Sequence, residues 1–180
     1  AGAEASKGKN AGGTPVFMAG WEGHLLVVDR LLLAGADASK AMNDGTTPVY
    51  IASVQRHLDV LDRLLEAGAD ASKAKNDGAT PVYTASQEGH LDVLDRLLQA
   101  GADAGKARND GATPVYIASY EGHLPGVDRP LPAGPHASKA MNDGTTPAYF
   151  ASRQPPPDAL DPLPPPPPDS HQPKHHHPTR

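Results

Sequence analysis

Residues 47–79 read TPVYIASVQRHLDVLDRLLEAGADASKAKNDGA, and residues 80–112 repeat that segment with only seven changes. The Thr-Pro pair that opens the segment recurs every 33 residues, at positions 14, 47, 80, 113 and 146. Repetition at a fixed period of roughly 20–50 residues is typical of an array in which each unit stacks on its neighbours. The sequence therefore predicts a solenoid of similar units.

Each unit carries the signals of two short helices and a turn. Thr47 is suited to cap a helix, and Pro48 follows at the first helical position, where its missing N–H costs nothing. Residues 58–65 place leucine and valine at helical spacing, which predicts a second helix, and Gly68 follows where a left-handed C-cap is favoured. The triplet Asn-Asp-Gly at 76–78 predicts a turn before the next unit.

These units resemble the ankyrin repeat. The family pattern of Thr-Pro-Leu-His, Ala-Ala, Gly-His, Leu-Leu and Gly-Ala-Asp is nearly matched in residues 80–103, and the shared pattern here is TPVY-xAS-xxGH-LDVLDRLL-xAGAD. The resemblance implies an all-α fold, an ankyrin-type α-solenoid of stacked helix–turn–helix repeats joined by β-hairpin-like turns, with a Pro-rich irregular C-terminal tail.

One departure from the family pattern is consistent. The family's His after Thr-Pro-Leu is replaced by an aromatic residue in every unit, so a Tyr hydroxyl or ring packing must substitute for the hydrogen bonds of that His. The five residues are Phe17, Tyr50, Tyr83, Tyr116 and Tyr149.

The period also predicts where the units begin and end. Residues 1–7 align with residues 67–73, so residues 1–13 are expected to be the remnant of a preceding repeat. With no earlier helix pair to cover them, Val16, Leu25 and Leu31 are expected to face solvent or a partner. The predicted units are ankyrin repeats at 14–46, 47–79 and 80–112, a degenerate repeat at 113–145, and a decayed partial repeat with a Pro-rich tail at 146–180.

Proline is concentrated towards the end of the chain. Pro130 and Pro132 fall inside the second helix of the fourth unit, where each costs roughly 3 kcal/mol. Residues 155–180 hold eleven of the 20 prolines but keep the repeat's phase, so they are interpreted as a fifth repeat in which helix positions have become Pro. Order is expected to fade after about residue 124.

Composition excludes several classes of function. Lys and Arg number 16 against 21 Asp and Glu, a net charge of −5, which argues against binding nucleic acid. The chain has no cysteine, which excludes disulfides, Cys-zinc sites and thiol nucleophiles and favours the cytoplasm or another reducing compartment. No apolar run approaches the roughly 20 residues of a membrane span.

No pattern predicts catalysis, a cofactor or a metal. His24, His57, His90 and His123 open second helices, and equivalent positions in stacked repeats stand roughly 10 Å apart, too far to share one ion, so we interpret them as structural. The run at 175–177 with His171 could bind a transition metal only weakly.

The remaining charges favour a solvated surface. The Asp-Arg pairs at 29/30, 62/63, 95/96 and 128/129 form rows along the array, and Asp59 with Arg63 is expected to pair at i,i+4 on the exposed helix face. A solvated row does not supply the two unlike environments that acid–base catalysis needs. The sequence therefore predicts a protein that is not an enzyme.

Three phases vary within the otherwise uniform units. The resemblance implies that first-helix positions line a concave groove that holds a protein partner, and exposed aromatics beside acids are typical of binding hot spots. The opposing interpretation is neutral variation at solvated positions. The candidate partner-binding residues are Trp21, Val54, Gln87 and Tyr120; Glu22, Gln55, Glu88 and Glu121; and Met42, Lys75 and Arg108.

The sequence thus predicts a non-catalytic protein-binding scaffold whose acidic surface favours a partner with a basic patch. One alternative is a linear ligand, because the LPPPP segment at 163–167 resembles motifs bound by EVH1-, SH3- or profilin-type partners. Another alternative is an architectural subunit of a larger complex.

Overall fold

The computed structural model of the 180-residue chain describes residues 12–123 together with residues 142 and 144. Within these residues there are seven helices and no strand, so the predicted all-α fold is confirmed. Four helices begin at the proline of a Thr-Pro pair and are called first helices; the three others are called second helices. The helices are α1 Pro15–Trp21, α2 Leu25–Leu33, α3 Pro48–Val54, α4 Leu58–Glu66, α5 Pro81–Glu88, α6 Leu91–Gln99 and α7 Pro114–Tyr120.

The Thr-Pro pairs start the first helices as predicted. Each threonine has extended backbone, and its hydroxyl accepts a hydrogen bond from the main-chain N–H three residues later. The proline occupies the first helical position, where no hydrogen bond is lost. The four bonds, all 3.0–3.2 Å, join Thr14 to Phe17, Thr47 to Tyr50, Thr80 to Tyr83 and Thr113 to Tyr116.

The helices form two layers. The four first helices pack side by side in chain order, and α1, α3 and α5 each pack against the second helix of their own repeat. The described second helices also pack against one another. One continuous core of valine, leucine and alanine runs through the repeats, with Val60, Leu61 and Leu64 fully buried in the second repeat. The core is therefore built from aliphatic side chains of small and medium size.

A ladder of hydrogen bonds joins the Asn-Asp-Gly turns of successive repeats. Asn76 N donates to Asp44 O at 2.9 Å, and its Nδ2 donates to Asn43 O at 3.0 Å. Asn109 makes the same two bonds to Asp77 O and Asn76 O, and Asn142 makes them to Asp110 O and Asn109 O. The constant turn triplets are therefore explained by contacts between repeats.

The prediction that Asp59 pairs with Arg63 is wrong. The Arg63 Nε lies 2.8 Å from Asp29 Oδ1 of the preceding repeat, whereas Asp59 Oδ1 accepts the N–H of Val60 in its own helix. Arg96 reaches Asp62 in the same way at 3.6 Å. Stacking places the preceding repeat's aspartate within reach of the arginine, so the ion pair joins two repeats.

Val16 was expected to face solvent or a partner, and this expectation is wrong. Its side chain is only 1% exposed because it belongs to the continuous core. Leu25 and Leu31 are partly buried against that core. Met18 and Val27 are exposed there instead.

Several predictions lie outside the described residues. They are residues 1–11 of the remnant predicted at 1–13, the second helix of the fourth repeat, the decayed repeat and tail at 146–180, the histidines at 171–177 and the LPPPP segment. None of the described helices is long and apolar enough to cross a membrane.

Candidate functional site

The structure places the four variable first-helix residues at equivalent points. Trp21, Val54 and Tyr120 are the last residues of α1, α3 and α7, and Gln87 is the next-to-last residue of α5. Because these helices pack side by side, the four residues follow one line across the array. We call them the helix-end row. Trp21 and Tyr120 are 43% and 54% exposed, while Val54 and Gln87 are half-buried.

An acidic edge borders the helix-end row. Glu22, Gln55 and Glu121 are the C-caps of their helices, and Glu88 is the last residue of α5. All four side chains are exposed. Three carboxylates therefore stand beside the row, with one neutral amide interrupting them.

The third variable phase lies over the tyrosines. The Lys75 Nζ is 5.4 Å from the ring centroid of Tyr50, and the Arg108 Cζ is 5.4 Å from that of Tyr83. Lys75 also lies 3.5 Å from an oxygen of Asp44, and Arg108 Nη1 donates to the Tyr83 hydroxyl at 3.3 Å. These two cations are engaged within the chain, and Met42, at the same position of the first repeat, is half-buried.

Tyr50, Tyr83 and Tyr116 lie at the position where the family pattern has His. Tyr83 and Tyr116 are buried in a small cluster with Ile117 and two alanines, and Tyr50 packs against that cluster. Burial raises the pKa of Tyr83, although the Arg108 guanidinium opposes that shift. Burial lowers the pKa of Arg108, but Tyr83 and Asp110 outweigh it, so this pKa lies above its usual value. The arginine therefore stays charged over the ring.

Arg56 is a residue that the sequence analysis did not single out. Its φ is +58°, and the same position holds Gly23, Gly89 and Gly122 in the other repeats, all with positive φ. Its guanidinium forms an ion pair with Asp92 of the next repeat, and its Nη2 and Nε each lie 3.0 Å from Asp92 Oδ2. These hydrogen bonds hold the pKa of Asp92 below its usual value. The sequence signal for Arg56 is that an arginine precedes His57, whereas glycine precedes the equivalent histidine in the other repeats.

We expect Arg56→Gly to raise the free energy of unfolding. Glycine adopts this left-handed backbone freely, whereas arginine does not, and an exposed ion pair contributes little. The control is Arg56→Ala, which removes the same ion pair but keeps the backbone strain, and it should be less stable than Arg56→Gly. Urea denaturation followed by circular dichroism measures both, and equal midpoints would contradict the strain argument.

The histidines join successive repeats. The His57 Nε2 lies 3.1 Å from Trp21 O, and the His90 Nδ1 lies 3.2 Å from Ser53 O, so the structural interpretation of these two residues is confirmed. In the described part of the chain, no group of three or more His, Cys, Asp or Glu side chains is placed to hold a metal ion. A cleft of about 270 Å³ between the first two repeats contains none of the candidate partner-binding residues.

Comparison with known families places this geometry in context. A family model described as ankyrin repeats (3 copies) matches residues 16–108 and, again, residues 68–133. The two matches together span more than half of the chain. No curated protein matches it.

Proposed function

The chain belongs to the ankyrin repeat family, whose repeats are protein–protein interaction modules, and we propose that it is a non-catalytic scaffold that holds a protein partner along its first helices. The candidate surface consists of the helix-end row, the acidic edge and the exposed parts of Met42, Lys75 and Arg108. The observation that carries the proposal is the exposure of two large aromatic side chains at equivalent helix ends, Trp21 and Tyr120.

The surroundings of these aromatics support an anchoring role. The rings of Trp21 and Phe17 form an edge-to-face contact with centroids 6.0 Å apart. Because Phe17 is buried, this contact restricts the position of the Trp21 ring. A large side chain held on a preformed surface loses little conformational entropy when a partner covers it. Aromatics ringed by polar groups are the typical hot spots of protein interfaces.

The packing of the two layers supports the proposal that the groove lies on the first-helix side. Contacts between successive first helices are more extensive than contacts between successive second helices. Closer packing of the first-helix layer supports a curvature towards that layer, with the first-helix side concave. The helix-end row then lies where a partner segment can touch several repeats at once.

Charge supports a partner with a basic patch. Glu22, Glu88 and Glu121 form an exposed acidic edge, whereas Lys75 and Arg108 are paired with Asp44 and Asp110. Complementary charge raises the rate of association and selects against acidic partners.

The test is affinity capture from a native lysate with the full chain as bait. We expect the double variant Trp21→Ala/Tyr120→Ala to lose the captured protein, with at least a tenfold weaker affinity, as for hot-spot aromatics. The matched control is Leu33→Ala, which removes a side chain that is 70% exposed on a second helix. Retention by the double variant, or loss by the control, would rule out the helix-end row.

A further inference from the structure

The cleft of about 270 Å³ between the first and second repeats lies outside the surface proposed for the protein partner. Part of its lining is buried and apolar, and part is exposed and polar. The apolar residues are Ala38, Val49 and Ala69, and the polar residues are Ser39, Asp70 and Lys73. The cleft therefore offers an aliphatic surface beside a polar one.

At the following junction, between the second and third repeats, two hydrogen bonds join the loops that follow the second helices. The Asp103 N–H donates to Ser72 Oγ at 3.1 Å. The Lys106 ammonium donates to the Ser72 carbonyl at 3.4 Å. Both donors of the third repeat therefore have an oxygen acceptor in the preceding loop.

The first junction has the same residue types without these bonds. The counterparts 33 residues earlier are Ser39, Asp70 and Lys73. Within residues 12–123, neither the Asp70 N–H nor the Lys73 ammonium has an acceptor, and the Ser39 hydroxyl has no partner. Three hydrogen-bond donors, one of them charged, thus stand at the cleft with no oxygen to accept from them.

One substitution in the loop gives a physical reason for the difference. Residues 69–74 and 102–107 are identical except that Ser72 is replaced by Gly105. Gly105 is buried, whereas Ser72 is only half-buried. A side chain at this position holds its loop away from the preceding one, and glycine allows the closer approach that the hydrogen bonds to Ser72 need.

We propose that the cleft binds a small carboxylate with a branched aliphatic tail, supplied by a free acid or by the C-terminal residue of a peptide. The carboxylate oxygens accept hydrogen bonds from the Asp70 N–H and the Lys73 ammonium, as the oxygens of Ser72 do for the equivalent donors. Such charge-assisted bonds are stronger than neutral ones. The tail packs on the aliphatic surface that includes Val49.

The size and charge of the cleft limit the ligand. Its volume lies just below the roughly 300–1,000 Å³ of sites for drug-sized molecules, so it suits a carboxylate with only a few carbon atoms. Lys73 is the cation among the lining residues. The Asp70 carboxylate is engaged by its own turn, because its Oδ1 accepts the Ser72 N–H at 2.7 Å. This site is separate from the helix-end row.

The first probe is isovalerate, titrated into the isotope-labelled full chain and followed by heteronuclear NMR. We expect the amide signal of Asp70 to shift saturably, with a Kd of roughly 1 mM for a ligand of this size. The amide of Asp103 is already bonded to Ser72 and should not shift. Isovaleramide, which has the same shape without the charge, and acetate, which lacks the tail, should each bind at least fivefold more weakly.

A pair of lysine variants tests the site itself. Lys73→Met keeps most of the aliphatic stem but removes the charge, and it should weaken isovalerate binding at least fivefold. The matched control is Lys106→Met, at the same position of the joined loops, which should leave binding unchanged. Both lysines are exposed, so neither substitution should disturb the fold.

A second probe distinguishes the two sources of the carboxylate. The peptide Gly-Gly-Val is titrated with a free and with an amidated C-terminus. Binding of isovalerate and of the free peptide supports recognition of the carboxylate and tail alone, and binding of the free peptide only supports a peptide C-terminus as the ligand. The proposal is overturned if neither shifts the Asp70 amide, if the amides bind as well as the acids, or if Lys73→Met binds as the unmodified chain does.

Discussion

Gly78→Ala is expected to lower the free energy of unfolding by about 3 kcal/mol. The φ of Gly78 is +87°, which costs an L-residue roughly 1–2 kcal/mol. A Cβ there would also stand 2.5 Å from Asn109 Oδ1 and 2.8 Å from Asn109 N, the residue that donates two bonds to the turn. Displacing Asn109 weakens both bonds, each contributing about 1 kcal/mol.

The matched control for this substitution is Gly68→Ala. Gly68 has nearly the same φ, +85°, but no atom lies within 4 Å of its built Cβ. Gly68→Ala should therefore lower the free energy of unfolding only by the cost of the left-handed backbone, roughly 1–2 kcal/mol. Urea denaturation measures the free energy of unfolding of both variants. The difference between them gives the contribution of the hydrogen bonds that join the turns. Equal losses would show that the ladder contributes nothing to stability.

Leu64→Ala is expected to cost about 3 kcal/mol, within the range for leucines truncated in a packed core. Leu64 is completely buried in the continuous core of the second repeat. Because each repeat contacts only its neighbours, a cavity there also weakens the coupling of the first repeat to the third. We therefore expect a broader unfolding transition in addition to a lower midpoint.

Leucines at the same position of two other repeats test whether the cost of truncation follows burial. Leu97 is as fully buried in the third repeat, so Leu97→Ala should cost about the same. Leu31, at the same position of the first repeat, is only partly buried, so Leu31→Ala should cost clearly less. Thermal and urea unfolding by circular dichroism measure the series. A loss for Leu31→Ala as large as that for Leu64→Ala would contradict the link between burial and cost.

Local chemistry within a repeat was predictable from the sequence. The Thr-Pro pairs predicted the starts of the first helices, since a cap and a proline act over three or four residues whatever lies around them. The leucines at 58–65 predicted the second helix, whose bounds are Leu58–Glu66. The turn at 76–78 and the structural role of His57 followed from spacing as well.

Contacts between repeats were not predictable in the same way. Arg63 was expected to pair with Asp59 one turn away but pairs with Asp29, 34 residues earlier. Val16 was expected to be exposed and is buried, whereas Met18 and Val27 are exposed. Lys75 and Arg108 were read as variable surface and are held over Tyr50 and Tyr83.

The sequence by itself determined the 33-residue unit, its two helices and the membership of the array in a repeat class, because these depend on short-range propensities and periodicity. Only the tertiary structure decided which side chains meet across a junction, and therefore which face is covered and which is open. Residues such as His57 and Trp21, 36 positions apart, come together through the rise and rotation from one repeat to the next. Those two quantities are set by how the small core side chains interlock, and no local spacing in the chain encodes them.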